Sequence, residues 1–266
     1  MPTMDDLTGG FREFLSRNVI PKGGILPLVH STPSLHLPLI ANSSKILPRR
    51  CDVFQAEDLS YFFVGRPAYK NEGDSEASDW ELPTCFIFEY SSISPIKRIF
   101  PFDSGAFSSR LYPNYISMME RDKFEVSSVS ESPSRIIGAY FGTPTDYFRG
   151  EPRSIKEFKS SFDVNLLQAQ ALAVHRLATE KGASKFDDRR LTIEVQHSNV
   201  VDLTVTRPLA VIAPSSYFDI PDILDTVQNT WGAQPLTYGV NSLNVNQYYN
   251  SIYDLTSEFY KELGLI

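Results

Sequence analysis

Several side chains that are able to bind or convert a ligand stand in apolar runs of the sequence or directly after them. The run ILPLVHST ends in His30 and Thr32, LSYFFVG carries Tyr61 and is followed by Arg66, and LTIEVQ contains Glu194. A guanidinium group forms paired hydrogen bonds to phosphate oxygens, and an aromatic face stacks on a planar ring. A fixed carboxylate stabilises positive charge that develops during a reaction. The chemistry indicated is therefore hydrogen bonding, stacking, phosphate binding and charge stabilisation.

Signatures of several common enzyme classes are absent. The sequence has no GxGxxG, no GxxxxGK[ST], no GxSxG and no HExxH. Dinucleotide oxidoreductases, P-loop proteins, hydrolases with a nucleophile elbow and zincins therefore lose their usual sequence support. No two histidines show the paired spacing of metal ligands, so we expect no metal. The two cysteines, Cys51 and Cys85, are expected to be buried free thiols.

Hydropathy patterns predict the elements that must position these side chains. Apolar and β-branched runs predict strands at 25–32, 59–65, 84–90, 136–142, 191–196 and within 200–214. Apolar residues at helical spacing predict helices from Phe11, over 163–181 and from Asn246 to the end of the chain. Strands and helices do not alternate regularly, which favours the α+β class.

Charge and hydropathy exclude some functions. The chain has 25 Lys and Arg residues against 32 Asp and Glu residues, a formal net charge of −7. Coating of nucleic acid by bulk electrostatics needs a positive surface, although a patch of Lys97, Arg98 and Arg110 leaves local guidance of a strand open. No apolar run is long enough for a membrane helix, and residues 1–10 do not resemble a signal peptide. We therefore expect a cytoplasmic protein without membrane contact.

The order of the elements resembles the ADP-ribosyltransferase superfamily, most nearly its diphtheria-toxin-like and DNA-modifying toxin branches. The pieces that carry the resemblance are a strand ending in HST, a short helix, the aromatic strand SYFF and a much later strand with Glu194. The resemblance spans roughly residues 1 to 110 and the surroundings of Glu194. It implies a mixed, bent β-sheet with flanking helices, and NAD as substrate.

The resemblance also implies roles for individual residues. Glu194 matches the catalytic acid and His30 the first-strand residue that contacts the nicotinamide ribose. The remaining NAD-binding residues are expected to be Ser31, Thr32, Tyr61, Phe62, Arg66 and Tyr69. Family members have Gln or Glu two residues before the catalytic acid, whereas in this chain Gln196 follows it. Because the expected site spans 30 to 194, we predict one domain over 1–266 with insertions near 71–81 and 108–162.

The function implied is NAD-dependent mono-ADP-ribosylation of an unidentified macromolecule or nucleotide, or hydrolysis of NAD, in a toxin or anti-phage effector. The oligomeric state is left open. One alternative is a binding protein that has a degenerate NAD cleft, and another is a metal-independent hydrolase in which Asp103 acts as the base.

Simpler structural roles are also open for each candidate. His30 would hydrogen-bond the following turn, Tyr61 would belong to the core, and Arg66 would pair with an acid such as Asp103. Glu194 would face solvent from an alternating strand. Two further residues have structural interpretations. Asp103 is expected to bond the amides of Ser104 or Gly105, as the simpler alternative to acting as a base, and His175 is expected to lie at the surface or partly buried.

Overall fold

The computed structural model describes residues 10–18, 20, 24–55, 57–68, 78–180, 188–241 and 247–266. The strands are β1 (Leu28–Pro33), β2 (Lys45–Ile46), β3 (Arg49–Arg50), β4 (Asp58–Val64), β5 (Pro83–Phe88), β6 (Arg98–Phe100), β7 (Glu194–His197), β8 (Val201–Asp202), β9 (Ala210–Pro214) and β10 (Gln234–Tyr238). The helices are α1 (Phe11–Arg17), α2 (Leu37–Ser43), α3 (Ser104–Ser108), α4 (Asn114–Ser117), α5 (Ser132–Tyr140), α6 (Pro144–Arg149), α7 (Ile155–Ser161), α8 (Ala169–Thr179), α9 (Ser215–Phe218), α10 (Pro221–Asp225) and α11 (Tyr248–Glu262). Among the described residues, none of these helices combines the length and apolarity that crossing a membrane requires.

The chain divides into two compact units, and each draws on two separate stretches of sequence. The first unit comprises Met1–Ile25 and Ile96–Gln196, and the second comprises Leu26–Pro95 and His197–Ile266. The single domain over 1–266 stays a prediction, as do its two insertions.

The second unit contains a mixed β-sheet with the order β10-β9-β5-β1-β4. Strand β1 pairs antiparallel with both β4 and β5, and β5 pairs antiparallel with β9. Strands β9 and β10 are parallel, and the chain between them forms α9, α10 and a π-helical turn. Every position of β5 is buried, which explains why its sequence is a continuous apolar run instead of an alternating one. The α+β class and the mixed open sheet with flanking helices are thus confirmed.

A left-handed glycine ends β4 and directs the chain into Arg66. Gly65 has φ 67°, and its amide donates to the carbonyl of Pro27 at 2.7 Å. A Cβ at this position would lie 2.5 Å from Cδ1 of Leu26. Both the backbone angle and the close approach therefore require glycine at the predicted end of this strand.

The C-terminal amphipathic helix is confirmed as α11, but its buried face differs slightly from the prediction. Tyr248, Ile252 and Phe259 are buried, whereas Leu263 lies past the helix and is 47% exposed. The expected cap, Asn246, lies outside the described residues.

The first unit has an aromatic core between its helices, with β6 and β7 paired antiparallel. The ring of Phe158 lies 5.7 Å from that of Phe14 and 5.0 Å from that of Tyr140. His175 stacks on Phe158 at 4.7 Å and is only 2% exposed. Its Nε2 is 2.8 Å from the carbonyl oxygen of Arg153. The expectation of a surface or partly buried His175 was wrong, because a backbone carbonyl pairs the ring inside the core.

Two predicted elements of the first unit are different in the structure. The segment 136–142, predicted as a strand, belongs mostly to α5. Periodicity does not distinguish a short, fully buried apolar run of a helix from a buried strand. The helix predicted over 163–181 begins only at Ala169. Before it, the side-chain oxygen of Asn165 accepts a hydrogen bond from the backbone amide of Leu167. The backbone amide of Asn165 donates to the side-chain oxygen of Gln168. These local bonds replace a first helical turn.

We predict that Gly65→Ala destabilises the protein. The left-handed angle costs an alanine about 1 kcal/mol or more, and the contact with Leu26 adds to that cost. Urea unfolding measures the change. Gly239→Ala is the matched control, since a Cβ there meets nothing within 4 Å. Equal stability of the two variants would contradict the prediction.

Candidate functional site

Glu194 is an acidic side chain of the first unit that is buried inside the fold. It opens β7 and is 1% exposed. Its Oε1 accepts from the hydroxyl of Ser104 at 2.6 Å and from Nε2 of Gln196 at 2.7 Å, while Oε2 accepts from the backbone amide of Ser104 at 2.9 Å. The alternative of a solvent-facing Glu194 is therefore wrong, because this side of β7 faces the beginning of α3 and not water.

The surroundings of Glu194 favour its neutral form. Burial and, after it, the nearby carboxylate of Asp103 raise the pKa of this carboxyl to about 8, although the bonds from Ser104 and Gln196 act in the opposite direction. A carboxyl with such a pKa changes its charge near neutral pH. Groups of this kind occur preferentially at functional sites.

Asp103 caps helix α3. Its Oδ1 accepts from the amide of Ala106 at 2.8 Å, and its Oδ2 forms an ion pair with Arg189 at 3.2 Å. The expected bond to the amides of Ser104 or Gly105 was wrong, because the amide of Ser104 donates to Glu194 instead. The cap fixes the first turn of α3 and with it both donors of Ser104.

His30 occupies β1 in the second unit, and its ring has a defined tautomer. Its Nδ1 lies 2.9 Å from the carbonyl oxygen of Tyr61, and a carbonyl only accepts, so Nδ1 carries the proton. Burial lowers the pKa of His30, which keeps the ring neutral near pH 7. Nε2 is then unprotonated and able to accept a hydrogen bond. The ring packs against Phe62 at a centroid distance of 5.3 Å.

The two residues after His30 contact side chains of their own unit. The Ser31 hydroxyl is 3.4 Å from the Cys85 sulfur, and the Thr32 hydroxyl is 2.9 Å from Nδ1 of His36. His36 was not among the expected site residues. Its position four residues after Thr32, at the start of a helical segment, is the signal that would have identified it.

The aromatic candidates of β4 differ in their exposure. Phe62 is fully buried against Phe88, with ring centroids 5.9 Å apart. Tyr61 is only partly buried, and its hydroxyl is 2.7 Å from the Cys51 sulfur. Of the two rings, that of Tyr61 has the accessible surface that a ligand needs. Both cysteines are free and buried, as expected.

Arg66 follows β4 directly and is 5% exposed. Its guanidinium carbon lies 5.5 Å from the ring centroid of Tyr253 on α11, a cation–π distance. The C-terminal helix thus contributes to the position of this arginine. Tyr69 lies outside the described residues.

The structure brings the candidates together in two groups. In the second unit, His30 contacts the strand that carries Tyr61 and Phe62. In the first unit, Glu194 is joined to Ser104 and Gln196, which sequence reasoning missed. Within the described residues, no group of three or more His, Cys, Asp and Glu side chains has a geometry able to hold a metal ion.

Comparison with protein-family models, with curated proteins and with solved structures finds no match to this chain. The site is therefore interpreted from its own chemistry.

The raised pKa of Glu194 predicts a pH-dependent stability. An unfolded glutamate has a pKa near 4.3, so between that pH and about 8 the unfolded chain releases a proton that the folded chain keeps. The free energy of unfolding therefore falls as pH rises through this range. Glu194→Gln removes the titration, and we expect it to gain stability relative to wild type between pH 5 and pH 9.

Urea unfolding at several pH values measures this difference. Any constant cost of the new amide beside the Ser104 amide shifts the curve without changing its slope. The exposed Glu120 provides the control Glu120→Gln, for which the difference from wild type should stay constant. Parallel pH curves for wild type and Glu194→Gln would contradict the assignment of a raised pKa.

Proposed function

We propose that this protein is an NAD-dependent mono-ADP-ribosyltransferase. Glu194 is its catalytic acidic residue and acts as an ionised carboxylate. The observation that carries the proposal is the surroundings of this carboxylate. It is buried, all three of its hydrogen bonds come from uncharged donors, and the described residues supply it with no ion pair. A buried carboxylate without a cation costs stability. Such a group is useful where the substrate itself develops the positive charge.

Cleavage of NAD develops that charge. The bond between ribose C1′ and the nicotinamide nitrogen breaks, its electron pair leaves with nicotinamide, and C1′ with the ring oxygen becomes oxocarbenium-like. An ionised Glu194 beside the ribose stabilises this state more than the ground state, which lowers the barrier. The acceptor then attacks C1′ and releases its proton to the surrounding water. With water as the acceptor, the same step yields free ADP-ribose.

The second unit supports the proposal through the chemistry of its candidates. The unprotonated Nε2 of His30 accepts a hydrogen bond from a ribose hydroxyl, and Ser31 and Thr32 of the same strand are proposed as further NAD contacts. The partly exposed ring of Tyr61 suits the planar nicotinamide, and Arg66 suits the diphosphate. The ring of Phe62 packs against that of His30. Tyr69 is proposed as a further NAD contact.

Further parts of the proposal follow from the resemblance alone. These are a sheet that bends around NAD, an acceptor among proteins, nucleic acids or nucleotides, and a role as a cytoplasmic toxin or antiviral defence effector. No metal is required, because the proposed charge stabilisation comes from Glu194.

We predict that the protein releases nicotinamide from labelled NAD and that Glu194→Gln lowers this rate on the order of 100-fold or more, as expected when a transition-state charge partner is lost. Glu120→Gln should retain the wild-type rate. For wild type, kcat/KM should rise with pH towards a plateau, because only ionised Glu194 is active. The midpoint of this rise should lie at the pKa of Glu194, about 8.

The same samples distinguish the rival interpretation. A higher melting temperature with NAD but no nicotinamide release would favour a binding protein with a degenerate cleft. No turnover and no change in melting temperature would overturn the proposal. Full activity of Glu194→Gln would remove Glu194 from it.

A further inference from the structure

Gln196 connects the Glu194 carboxylate to an arginine on the neighbouring strand. Glu194 and Gln196 are two residues apart on β7, so their side chains share one face. Nε2 of Gln196 donates to Oε1 of Glu194 at 2.7 Å and to the Ser104 hydroxyl at 3.2 Å. Arg98 lies directly opposite Gln196 on β6, and its Nη1 donates to Oε1 of Gln196 at 3.1 Å.

The donor and acceptor types fix the direction of this chain of bonds. Arginine has only donors, so the amide oxygen of Gln196 must face Arg98 and the amide nitrogen must face Glu194. Gln196 is fully buried, so water does not compete for either end of the amide. Without Arg98, the buried amide oxygen of Gln196 loses its donor, and only the two bonds of its nitrogen still hold the amide towards the carboxylate.

We propose that Arg98 and Gln196 are positioning residues, in which Arg98 orients the Gln196 amide and that amide holds Glu194 in its reactive rotamer. The inference rests on the proposed function, since it assigns what prepares Glu194 for the reaction. Arg98 acts through Gln196 and contacts no substrate itself.

The two oxygens of the Glu194 carboxylate accept different numbers of hydrogen bonds. Each carboxylate oxygen accepts about two hydrogen bonds. Oε1 accepts from both Ser104 and Gln196, whereas Oε2 accepts only the Ser104 amide. Oε2 thus retains acceptor capacity, and it is the oxygen that interacts with the ribose.

The test measures nicotinamide release by Arg98→Met, Gln196→Leu and the double variant. We expect kcat to fall on the order of 10-fold for Arg98→Met and of 100-fold for Gln196→Leu, with KM for NAD nearly unchanged, because orientation of a reacting group affects the chemical step. Since Arg98 acts through Gln196, the double variant should be no slower than Gln196→Leu. Arg98→Lys retains a donor and should recover most of the rate.

The exposed Arg149 gives the control Arg149→Met, which should have wild-type kcat. Effects of Arg98→Met and Gln196→Leu that multiply in the double variant would overturn the relay, because a general field effect of Arg98 would persist without Gln196. A wild-type rate for Arg98→Met would also overturn it. Since Arg98 is partly exposed, this variant is expected to fold even if Gln196→Leu does not.

A second measurement separates failure of the relay from failure of the proposed function. If wild type does not cleave NAD, the proposed function fails, and titration of the Glu194 carboxyl carbon by NMR still tests the relay. Arg98→Met should raise the pKa of Glu194 in the wild-type background but not in the Gln196→Leu background. The other charged groups nearby, Asp103 and its ion-pair partner Arg189, stay unchanged in both backgrounds. Equal pKa changes in the two backgrounds would contradict the relay.

Discussion

Burial of the Glu194 carboxylate without a cation is the constraint on which the proposed site depends. Removing a carboxylate from water is costly unless its oxygens find donors. The fold supplies them from two directions: α3 begins with Ser104, which donates through both its amide and its hydroxyl, and β7 presents Gln196 on the same face. Asp103 caps that helix and so keeps the Ser104 donors in place. These donors are uncharged, so Glu194 remains able to respond to a positive charge that a substrate brings.

In the second unit, the imidazole of His30 is neutral and has one nitrogen, Nε2, that is able to accept a hydrogen bond. Strand β1 lies between β4 and β5, so the ring of His30 lies beside the carbonyl of Tyr61 and against Phe62. The carbonyl fixes the proton on Nδ1, and burial lowers the pKa of the ring. Gly65, in the left-handed conformation, then turns the chain. The next residue, Arg66, contacts the ring of Tyr253 on the C-terminal helix.

The sequence predicted best those elements whose apolar runs are continuous and end at a turn residue. Strands β1, β4 and β5 are of this kind, and the helices α1 and α11 were predicted from apolar residues at helical spacing. It failed at α5, where a short, buried apolar run fits a strand as well as a helix, and at 163–168, where the Asn165 and Gln168 side chains bond the backbone. His30 and Glu194 were selected from their places on predicted strands, and their roles at a site stay predictions. Ser104 was missed because its bonds to Glu194 arise from the contact between α3 and β7, which no local pattern encodes. Gln196 lies two residues after Glu194 on the same face of β7, and this spacing is the signal that would have identified it.

The most direct measurement of the central claim compares two ligands that differ in one charge. An uncleavable NAD analogue whose ribose carries a protonated amine in place of the ring oxygen mimics the charge of the transition state, and the matching uncleavable analogue with a methylene group at that position serves as the uncharged reference. Calorimetry above pH 8, where Glu194 is ionised, should show tighter binding of the cationic analogue to wild type and loss of that preference in Glu194→Gln. Equal affinities for both ligands in wild type, or an unchanged preference in the variant, would contradict the account.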